Sequence, residues 1–383
     1  MISGTTTIKN GKYYAVLTLP AKGGKKKQKW VAMKLDENAP KREVKRKLDE
    51  LRLEYSDVAS VEAIEVYFCD FIKKWNEETK ADKSVTTYDG YCHMIDKYIY
   101  PYFKERGLTV ADLRPMDIEE YYRYLQKKCG LSGNTALKHH QIINTSLKYA
   151  VYNRLIKENP AQLAKKPKKN KSEIQYFTIA ELHKLLEVSK GDKLETAIWL
   201  AVMFGLRREE VLGLKWENVD FDRHTIHICE TVVRAKDNGK RQRIARNTTK
   251  SESSNRVFTI SPEQTEYLKA VKEKQRKQKV RCGNCYTESD YVCVDLMGKP
   301  IEPDYLSDHY AKIRDRNNLK HVTFHGLRHS AITLMLEHGY SMKQVQQFAG
   351  HSDYNFTANT YAHVYKESLA EMTQTISDVL GEK

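Results

Sequence analysis

The chain has 383 residues, of which 40% are hydrophobic, and 65 Lys and Arg against 50 Asp and Glu give it a formal net charge of +15. This composition argues against wholesale disorder, and the longest apolar run, Ile198 to Phe204, is far shorter than the ~18 residues that span a membrane. With no signal peptide after Met1 and seven scattered cysteines, we expect a cytoplasmic protein whose positive charge indicates a polyanionic partner, most simply nucleic acid.

The first 34 residues form a basic segment with eight lysines and no acidic residue. Apolar and polar residues alternate in it, which predicts a three-stranded antiparallel sheet with turns at Asn10-Gly11 and Gly23-Gly24, followed by a helix over 41–54. Such a sheet can enter the DNA major groove while its lysines hold phosphates. The DNA contacts predicted in this segment are Lys25, Lys26, Lys27, Lys29 and Trp30. The alternative is a solvated basic tail.

Residues 61 to 160 have the periodicity of amphipathic helices, which we expect over 62–77, 85–100, 117–128 and 134–155. The last of these helices carries Lys138 and His139 beside an apolar stripe. Its polar face is predicted to lie on DNA, and a merely solvated face is the alternative. A basic run around Pro167 predicts a tether along phosphates, formed by Lys165, Lys166, Lys168 and Lys169.

A capping box at Thr178 to Glu181 opens a third region, which is mostly helical with a strand-rich interval over 225–260. The changes of pattern predict four segments along the chain. They are a domain over 1–58, a helical domain over 59–162, a basic linker over 163–174 and a larger domain over 175–383.

Short motifs in the third region carry the chemistry. They follow one another as Arg207, Glu210, His325, Arg328, His351 and Tyr361. This order of Arg, His-x-x-Arg, Gly-His and Tyr resembles the tyrosine recombinases, the phage integrase family, and most of all the integrases of conjugative transposons. Lys250, followed by Arg256, looks like the family's lysine between two strands. Phe204 stands where the family usually has Thr, and Ala349 where it usually has Leu.

The resemblance implies a multidomain, mainly helical fold with small β parts. The N-terminal sheet and helix would be an arm-site-binding domain, followed by a helical, SAM-like core-binding domain and a mixed, mainly helical catalytic domain. The implied activity is site-specific recombination that excises and integrates a mobile element such as a conjugative transposon. The implied partners are double-stranded DNA with core and arm sites, three further copies in a homotetramer, and an excisionase. We expect no membrane partner and a nucleoid-associated location.

The chemistry of these residue types agrees with that reading. Arg207, oriented by Glu210, and Arg328 would neutralise a phosphodiester as its pentacoordinate transition state forms, without a metal, a cofactor or ATP. A phenol has a pKa of ~10 and is a poor nucleophile at neutral pH until a base accepts its proton. His325 would take the proton of the nucleophile Tyr361. Two further residues complete the set, with Lys250 as the acid for the 5′ oxygen and His351 as a hydrogen-bond donor to a non-bridging oxygen. A 3′-phosphotyrosine then stores the bond energy for rejoining.

Several alternatives stay open. The histidines 325, 329, 338 and 351 could form a metal cluster, and the cysteines 282, 285 and 293 a zinc loop that lacks a clear fourth ligand. At the level of the whole protein, the alternatives are a type IB topoisomerase and a non-catalytic DNA-binding accessory protein. The amphipathic stretch after Tyr361 would dock either into a neighbouring catalytic domain or onto its own.

Overall fold

The computed structural model describes residues 3–20, 26–62, 66–170, 175–237, 240–247, 255–350 and 361, with the backbone alone at 19–20, 26–27, 56–62, 237, 240 and 247. It is mainly helical with small sheets, as predicted. The chain divides into two compact units, Met1–Lys171 and Ser172–Lys383. No helix in the described part is long and apolar enough to cross a membrane.

The first unit begins with the predicted antiparallel sheet. Its strands are β1 (Ser3–Lys9), β2 (Lys12–Pro20) and β3 (Lys26–Asp36), in the order β1-β2-β3, and helix α1 (Lys41–Glu62) follows. The turn between β1 and β2 lies at Asn10-Gly11, where both φ angles are positive (52° and 69°), as a tight hairpin turn requires. The predicted turn at Gly23-Gly24 lies outside the described residues. Helix α1 is longer than the predicted 41–54.

The two faces of this sheet have different environments. Leu17 and Met33 point towards α1 and are buried with Val44 and Leu48 of that helix. Trp30 pairs with Val16 on the opposite face and is 53% exposed. Because side chains alternate along a strand, Lys29 lies on the α1 side, where its Nζ is 4.8 Å from the Tyr55 ring. The two predicted DNA contacts Lys29 and Trp30 therefore lie on opposite faces.

A second hydrophobic cluster holds the helices of the middle region together. They are α2 (Phe68–Glu78), α3 (Val85–Met94), α4 (Tyr100–Arg106), α5 (Pro115–Lys127), α6 (Gly133–Tyr152) and α7 (Pro160–Leu163). The helix predicted over 85–100 is interrupted by a π-helical turn, Ile95–Ile99, just before Pro101. Proline has no N–H to donate to the preceding turn, which explains the interruption.

The prediction that His139 lies on the exposed face of α6 is wrong. Its side chain is fully buried, and its Nδ1 is 2.8 Å from the hydroxyl of Tyr121 on α5. Burial lowers the pKa of His139 to about 4, so the ring is neutral at pH 7. His140 makes the same kind of pair with Tyr122 at 2.7 Å, whereas Lys138 is exposed. The two histidines therefore join α6 to α5 instead of facing DNA.

The second unit contains the remaining described helices, most of them around one large apolar cluster. They are α8 (Ile179–Val188), α9 (Glu195–Phe204), α10 (Arg208–Val211), α11 (Pro262–Cys282), α12 (Pro303–Arg316), α13 (Phe324–Glu337) and α14 (Met342–Ala349). Helix α14 packs with the end of α13 in a smaller apolar cluster. Helix α8 begins at the predicted capping box, in which Thr178 and Glu181 bond each other's backbone N–H groups.

The strand-rich interval forms two separate sheets. Strands β4 (Val219–Asp220), β5 (Thr225–Ile228) and β8 (Arg256–Thr259) form one, and β6 (Glu230–Asp237) pairs with β7 (Lys240–Asn247) to form the other. Because β5 pairs directly with β8, the β6–β7 hairpin is an insertion between two neighbouring strands of the first sheet. Lys250 comes between β7 and β8 in the sequence, outside the described residues.

Candidate active site

Arg207 is placed by a sharp turn at the end of α9. Gly205 adopts φ +55°, a left-handed conformation that costs little only for glycine, and the buried Leu206 fixes the chain behind it. Arg207 is the N-cap of α10. Its backbone N–H donates to Oε2 of Glu210 (2.9 Å), and its Nη1 donates to Oε1 of the same carboxylate (2.7 Å). Its guanidinium is therefore held rigidly while its side chain stays 29% exposed.

Glu210 also binds a second arginine. Arg256, the first residue of β8, donates to both carboxylate oxygens of Glu210, with distances of 3.1 and 2.8 Å. Glu210 is 1% exposed. Burial alone would raise its pKa, but the hydrogen bonds and charges of Arg256 and Arg207 outweigh burial and lower the pKa to about 2. The carboxylate is therefore ionised at every working pH.

Arg328 lies on α13 and is 1% exposed. Its Nη1 donates to the carbonyl of Gly205 (2.7 Å), and its Nη2 donates to the carbonyl of Ala349. Arg207 donates through Nη2 to the carbonyl of the next residue, Gly350 (2.8 Å). The two guanidiniums thus bind consecutive carbonyls at the end of α14. Burial, with the nearby charge of Arg207, lowers the pKa of Arg328 to about 9.

Tyr361 is fully buried, against Ile332, Val345 and Ala349. Its hydroxyl is 2.5 Å from Nδ1 of His329, the residue that follows Arg328 on α13. Burial raises the pKa of Tyr361, although the charge of Arg328 opposes the rise. Burial, together with His325 and Arg328, lowers the pKa of His329 to about 4. A neutral His329 and a protonated phenol therefore share this hydrogen bond.

His325 is exposed, and its ring stands almost perpendicular to that of His329, with the centroids 5.1 Å apart. Partial desolvation and the charges of Arg328 and Arg207 lower its pKa. It lies beside the arginines, as predicted from the His-x-x-Arg spacing. The contact of His329 with Tyr361 was not predicted. The available signal was its position, one helical turn after His325 on the same face of α13.

The other predicted site residues are distributed as follows. Lys250, His351, Lys25 and the stretch 362–383 lie outside the described residues, and Lys26 and Lys27 are described by backbone alone. Among the described residues, no group of three or more His, Cys, Asp or Glu is placed to hold a metal ion. Burial raises the pKa of Cys293 to about 12, so this thiol stays protonated. The four lysines of the predicted tether are exposed.

The arrangement suits a dianionic transition state. Two cations, Arg207 and Arg328, meet at the end of α14, and a tyrosine hydroxyl with a neutral histidine partner lies close enough to Arg328 for that charge to act on it. Arginines fixed in advance stabilise developing negative charge on phosphoryl oxygens without reorganisation. A phenol that lies near such a pair can serve as a nucleophile towards a phosphodiester.

Comparisons with known proteins agree with this geometry. The Phage integrase family model matches residues 175–368, and the Phage integrase SAM-like domain model matches residues 67–171. A XerC-like tyrosine recombinase of Caldanaerobacter subterraneus subsp. tengcongensis is 27% identical over 99% of this chain and 100% of its own length. The transposase of transposon Tn916 from Enterococcus faecalis is 24% identical over 86% of this chain and 82% of its own.

Among solved structures, the Tn1549 transposon integrase in complex with a circular intermediate DNA superposes with a TM-score of 0.65. It is 19% identical and covers 80% of this chain and 99% of the solved one, a likeness that shows the fold. The match to the Phage integrase family extends over more than half of the chain and includes Arg207, Arg328 and Tyr361. The protein therefore belongs to the phage integrase family and is a tyrosine recombinase, an enzyme that cuts and rejoins DNA.

Proposed function

We propose that this recombinase is the integrase of a mobile element of the conjugative-transposon kind. Its similarity in sequence to the Tn916 transposase and in fold to the Tn1549 integrase supports this substrate class. The observation that carries the proposal is the convergence of Arg207 and Arg328 on the carbonyls of Gly350 and Ala349, with Tyr361 packed against Ala349. One phosphate at this point would lie next to both cations, and Tyr361 would reach it once its side chain leaves the buried site.

The proposed cleavage step is a transesterification. The phenol oxygen of Tyr361 bonds to the scissile phosphorus, and the bond from phosphorus to the 5′ oxygen breaks. His325 takes the phenol proton, and Lys250 gives a proton to the departing 5′ oxygen, which leaves as a hydroxyl. Arg207, Arg328 and His351 hold the non-bridging oxygens. The product is a 3′-phosphotyrosine, which the 5′ hydroxyl of another strand attacks in the reverse reaction, so that neither metal nor ATP is consumed.

His329 has a different role in this proposal. It holds the Tyr361 hydroxyl in a site where the ring is fully buried, so the phenol must leave this site to reach DNA. His325 is exposed beside both arginines, where a bound phosphate would lie. We therefore assign the proton-accepting role during attack to His325 and the holding of the unreacted tyrosine to His329.

DNA binding is proposed to use four parts of the chain. The N-terminal domain, residues 1–58, would bind arm sites through the open face that carries the exposed Trp30, with Lys9 Nζ 6.0 Å from its ring. The helical domain, residues 59–162, and the catalytic domain, residues 175–383, would bind core sites. The linker over 163–174 would follow phosphates through its lysines, exposed from Lys165 to Lys169.

Assembly is proposed to follow from the reaction. Exchange of strands between two duplexes requires four cuts, so four copies of the chain would act together on paired sites. The amphipathic stretch after Tyr361 would dock in a neighbouring copy, and an excisionase would set the direction of exchange. The excision and integration of an element would then require arm and core sites to be bridged.

The test is a nicked duplex that carries an end of a candidate element and traps the covalent intermediate. Wild-type protein should give a protein–DNA band that resists denaturant, and Tyr361→Phe should give none. The matched control is Tyr340→Phe, because Tyr340 is an exposed tyrosine of the same unit (54%). A band that persists in Tyr361→Phe would place the nucleophile elsewhere, and loss of the band in both variants would show a general loss of fold.

A further inference from the structure

Arg256 is buried next to the arginine that is proposed to bind phosphate. Its side chain is only 9% exposed, compared with 29% for Arg207. Both of its terminal nitrogens donate to Glu210, in the two-pronged geometry that fixes a carboxylate most firmly. The partner of Arg256 is therefore the same carboxylate that orients Arg207.

The charges of the three residues explain why a second arginine is needed. Glu210 has a pKa of about 2, so it carries a full negative charge next to Arg207. Paired with Arg207 alone, that charge would cancel the cation before any phosphate arrived. With Arg256 bound to the same carboxylate, the cluster keeps a net charge of +1, and the part of it that is exposed is Arg207.

The surrounding packing holds the cluster in one geometry. The ring of Phe258, two residues after Arg256 on β8, lies 5.3 Å from Phe204 and 5.2 Å from Phe348. Phe204 is the last residue of α9, and Phe348 lies in the last turn of α14. These three rings therefore join the strand that carries Arg256 to the two helix ends that carry Arg207 and its partner Gly350.

We propose that Arg256 is a positioning residue for DNA cleavage: it neutralises and orients Glu210, so that the charge of Arg207 stays available to the scissile phosphate. This inference rests on the proposed role of Arg207. Arg256 is also the first residue of β8, the strand that comes after Lys250 in the sequence. Arg256 acts through Glu210 and does not itself touch the DNA.

The experiment compares single-turnover cleavage of two nicked duplexes, one with a normal scissile phosphate and one with an uncharged methylphosphonate. Arg256→Gln should cut the normal phosphate about 10- to 100-fold more slowly than wild type. This defect is no larger than the low end of the ~100- to 1000-fold loss that follows removal of a direct donor to a transition state. The defect should shrink to within about 3-fold on the methylphosphonate, because that substrate has less charge to neutralise. DNA binding should change by no more than about 2-fold, since Arg256 is buried.

Two further variants separate charge from fold. In Arg256→Gln combined with Glu210→Gln, the excess anion is removed together with the cation, so part of the lost rate on the normal phosphate should return. The matched control is Arg314→Gln, because Arg314 is also buried (7%) but bonds Asp315 and the Val322 carbonyl. Any change that Arg314→Gln makes in the rate of cleavage should be the same for both substrates.

The outcomes distinguish the inference from the proposed function. Equal defects of Arg256→Gln on both substrates, or wild-type rates on the normal one, would overturn the role of Arg256 while Tyr361→Phe still abolishes the covalent band. A covalent band that survives in Tyr361→Phe would instead overturn the proposed nucleophile. Melting curves of each variant show whether it is folded under the conditions of the assay. The variant Arg256→Lys repeats the cleavage test with the charge kept and the two-pronged geometry lost.

Discussion

The Nδ1 atom of His329 lies 2.5 Å from the hydroxyl of Tyr361, and no part of the Tyr361 side chain is exposed. The nucleophile is therefore held by a neutral histidine inside the catalytic unit, while His325, four residues earlier, faces solvent. The two histidines of α13 have different surroundings, and this difference leads to the first prediction.

His325→Ala should lower the rate of covalent cleavage by roughly 100-fold or more, the usual contribution of a general base. His329→Ala should lower it by less than about 10-fold, since it removes a contact of the resting tyrosine and not the proposed proton acceptor. Single-turnover formation of the covalent band at saturating DNA measures both. If His329→Ala has the larger defect, the role of base belongs to His329.

The buried pair of His139 and Tyr121 predicts a pH-dependent stability of the core-binding helices. The folded-state pKa of His139, about 4, is below its ordinary value of 6.5. Above pH 6.5 His139 is neutral in both the folded and the unfolded chain, and the folded state has its full stability. As pH falls from 6.5 towards 4, the unfolded chain binds the proton first, so the free energy of unfolding decreases. At ~1.4 kcal/mol per pH unit, the loss at pH 4 should be about 3 kcal/mol.

Hydrogen exchange of the α6 amides between pH 4 and 7 measures this loss as a fall in protection. His139→Gln, which does not titrate, should make the pH dependence shallower, while His140, whose pKa is also lowered by burial, keeps the rest. His338→Gln replaces an exposed histidine of the other unit and should leave it unchanged. A wild-type profile that is already flat would show that His139 is not kept neutral by burial.

Gly205 and Gly191 form a matched pair for testing the turn before Arg207. Both have positive φ, +55° and +76°, so alanine at either should cost about 1 kcal/mol of stability. A Cβ at Gly205 would lie 3.0 Å from Phe348, whereas a Cβ at Gly191 would meet nothing within 4 Å. Gly205→Ala should therefore also slow cleavage by about 10-fold or more, because the shifted turn misplaces Arg207. Gly191→Ala should not slow cleavage. Equal cleavage rates for the two variants would contradict this prediction.

The lysines of the linker should contribute to affinity but not to chemistry. Replacing Lys165, Lys166, Lys168 and Lys169 with Gln removes four exposed charges. If each contacts one phosphate, the slope of log affinity against log salt should become shallower by ~0.9 per contact. Titration of core-site DNA at several salt concentrations measures the slope, and cleavage at saturating DNA should stay close to wild type. An unchanged slope would place this segment away from the phosphates.

An exposed tryptophan allows arm binding to be tested separately. Trp30→Ala should weaken binding of arm-site DNA by about 10-fold, since burial of a large apolar side chain contributes about 1.5–3 kcal/mol. Ile8→Ala changes another exposed apolar residue of the same sheet (48%) and is the control. Both variants should cut an isolated core site normally. A loss of core cleavage in Trp30→Ala would show that the sheet is not a separate binding module.

The sequence predicted the sheet, most helices and the order of the reacting side chains, because alternation, helical periodicity and capping boxes are local. It misplaced His139, since periodicity gives the face of a helix but does not show that a tyrosine on α5 provides a buried partner for the ring. Arg256 and His329 were also not predicted to act. Their roles depend on contacts with Glu210 and Tyr361, 46 and 32 residues away, which no local pattern contains.

The burial of Tyr361 also has a thermodynamic consequence. At ~25 cal/mol per Å2, exposing the ~150 Å2 that an aromatic side chain buries costs up to roughly 4 kcal/mol. A free chain would then present its nucleophile only about once in a thousand molecules. The free energy of DNA binding must supply the difference, so tighter or better-assembled sites are cut faster even though the chemistry at the phosphate is the same. We therefore expect phosphodiesters outside assembled sites to be left intact.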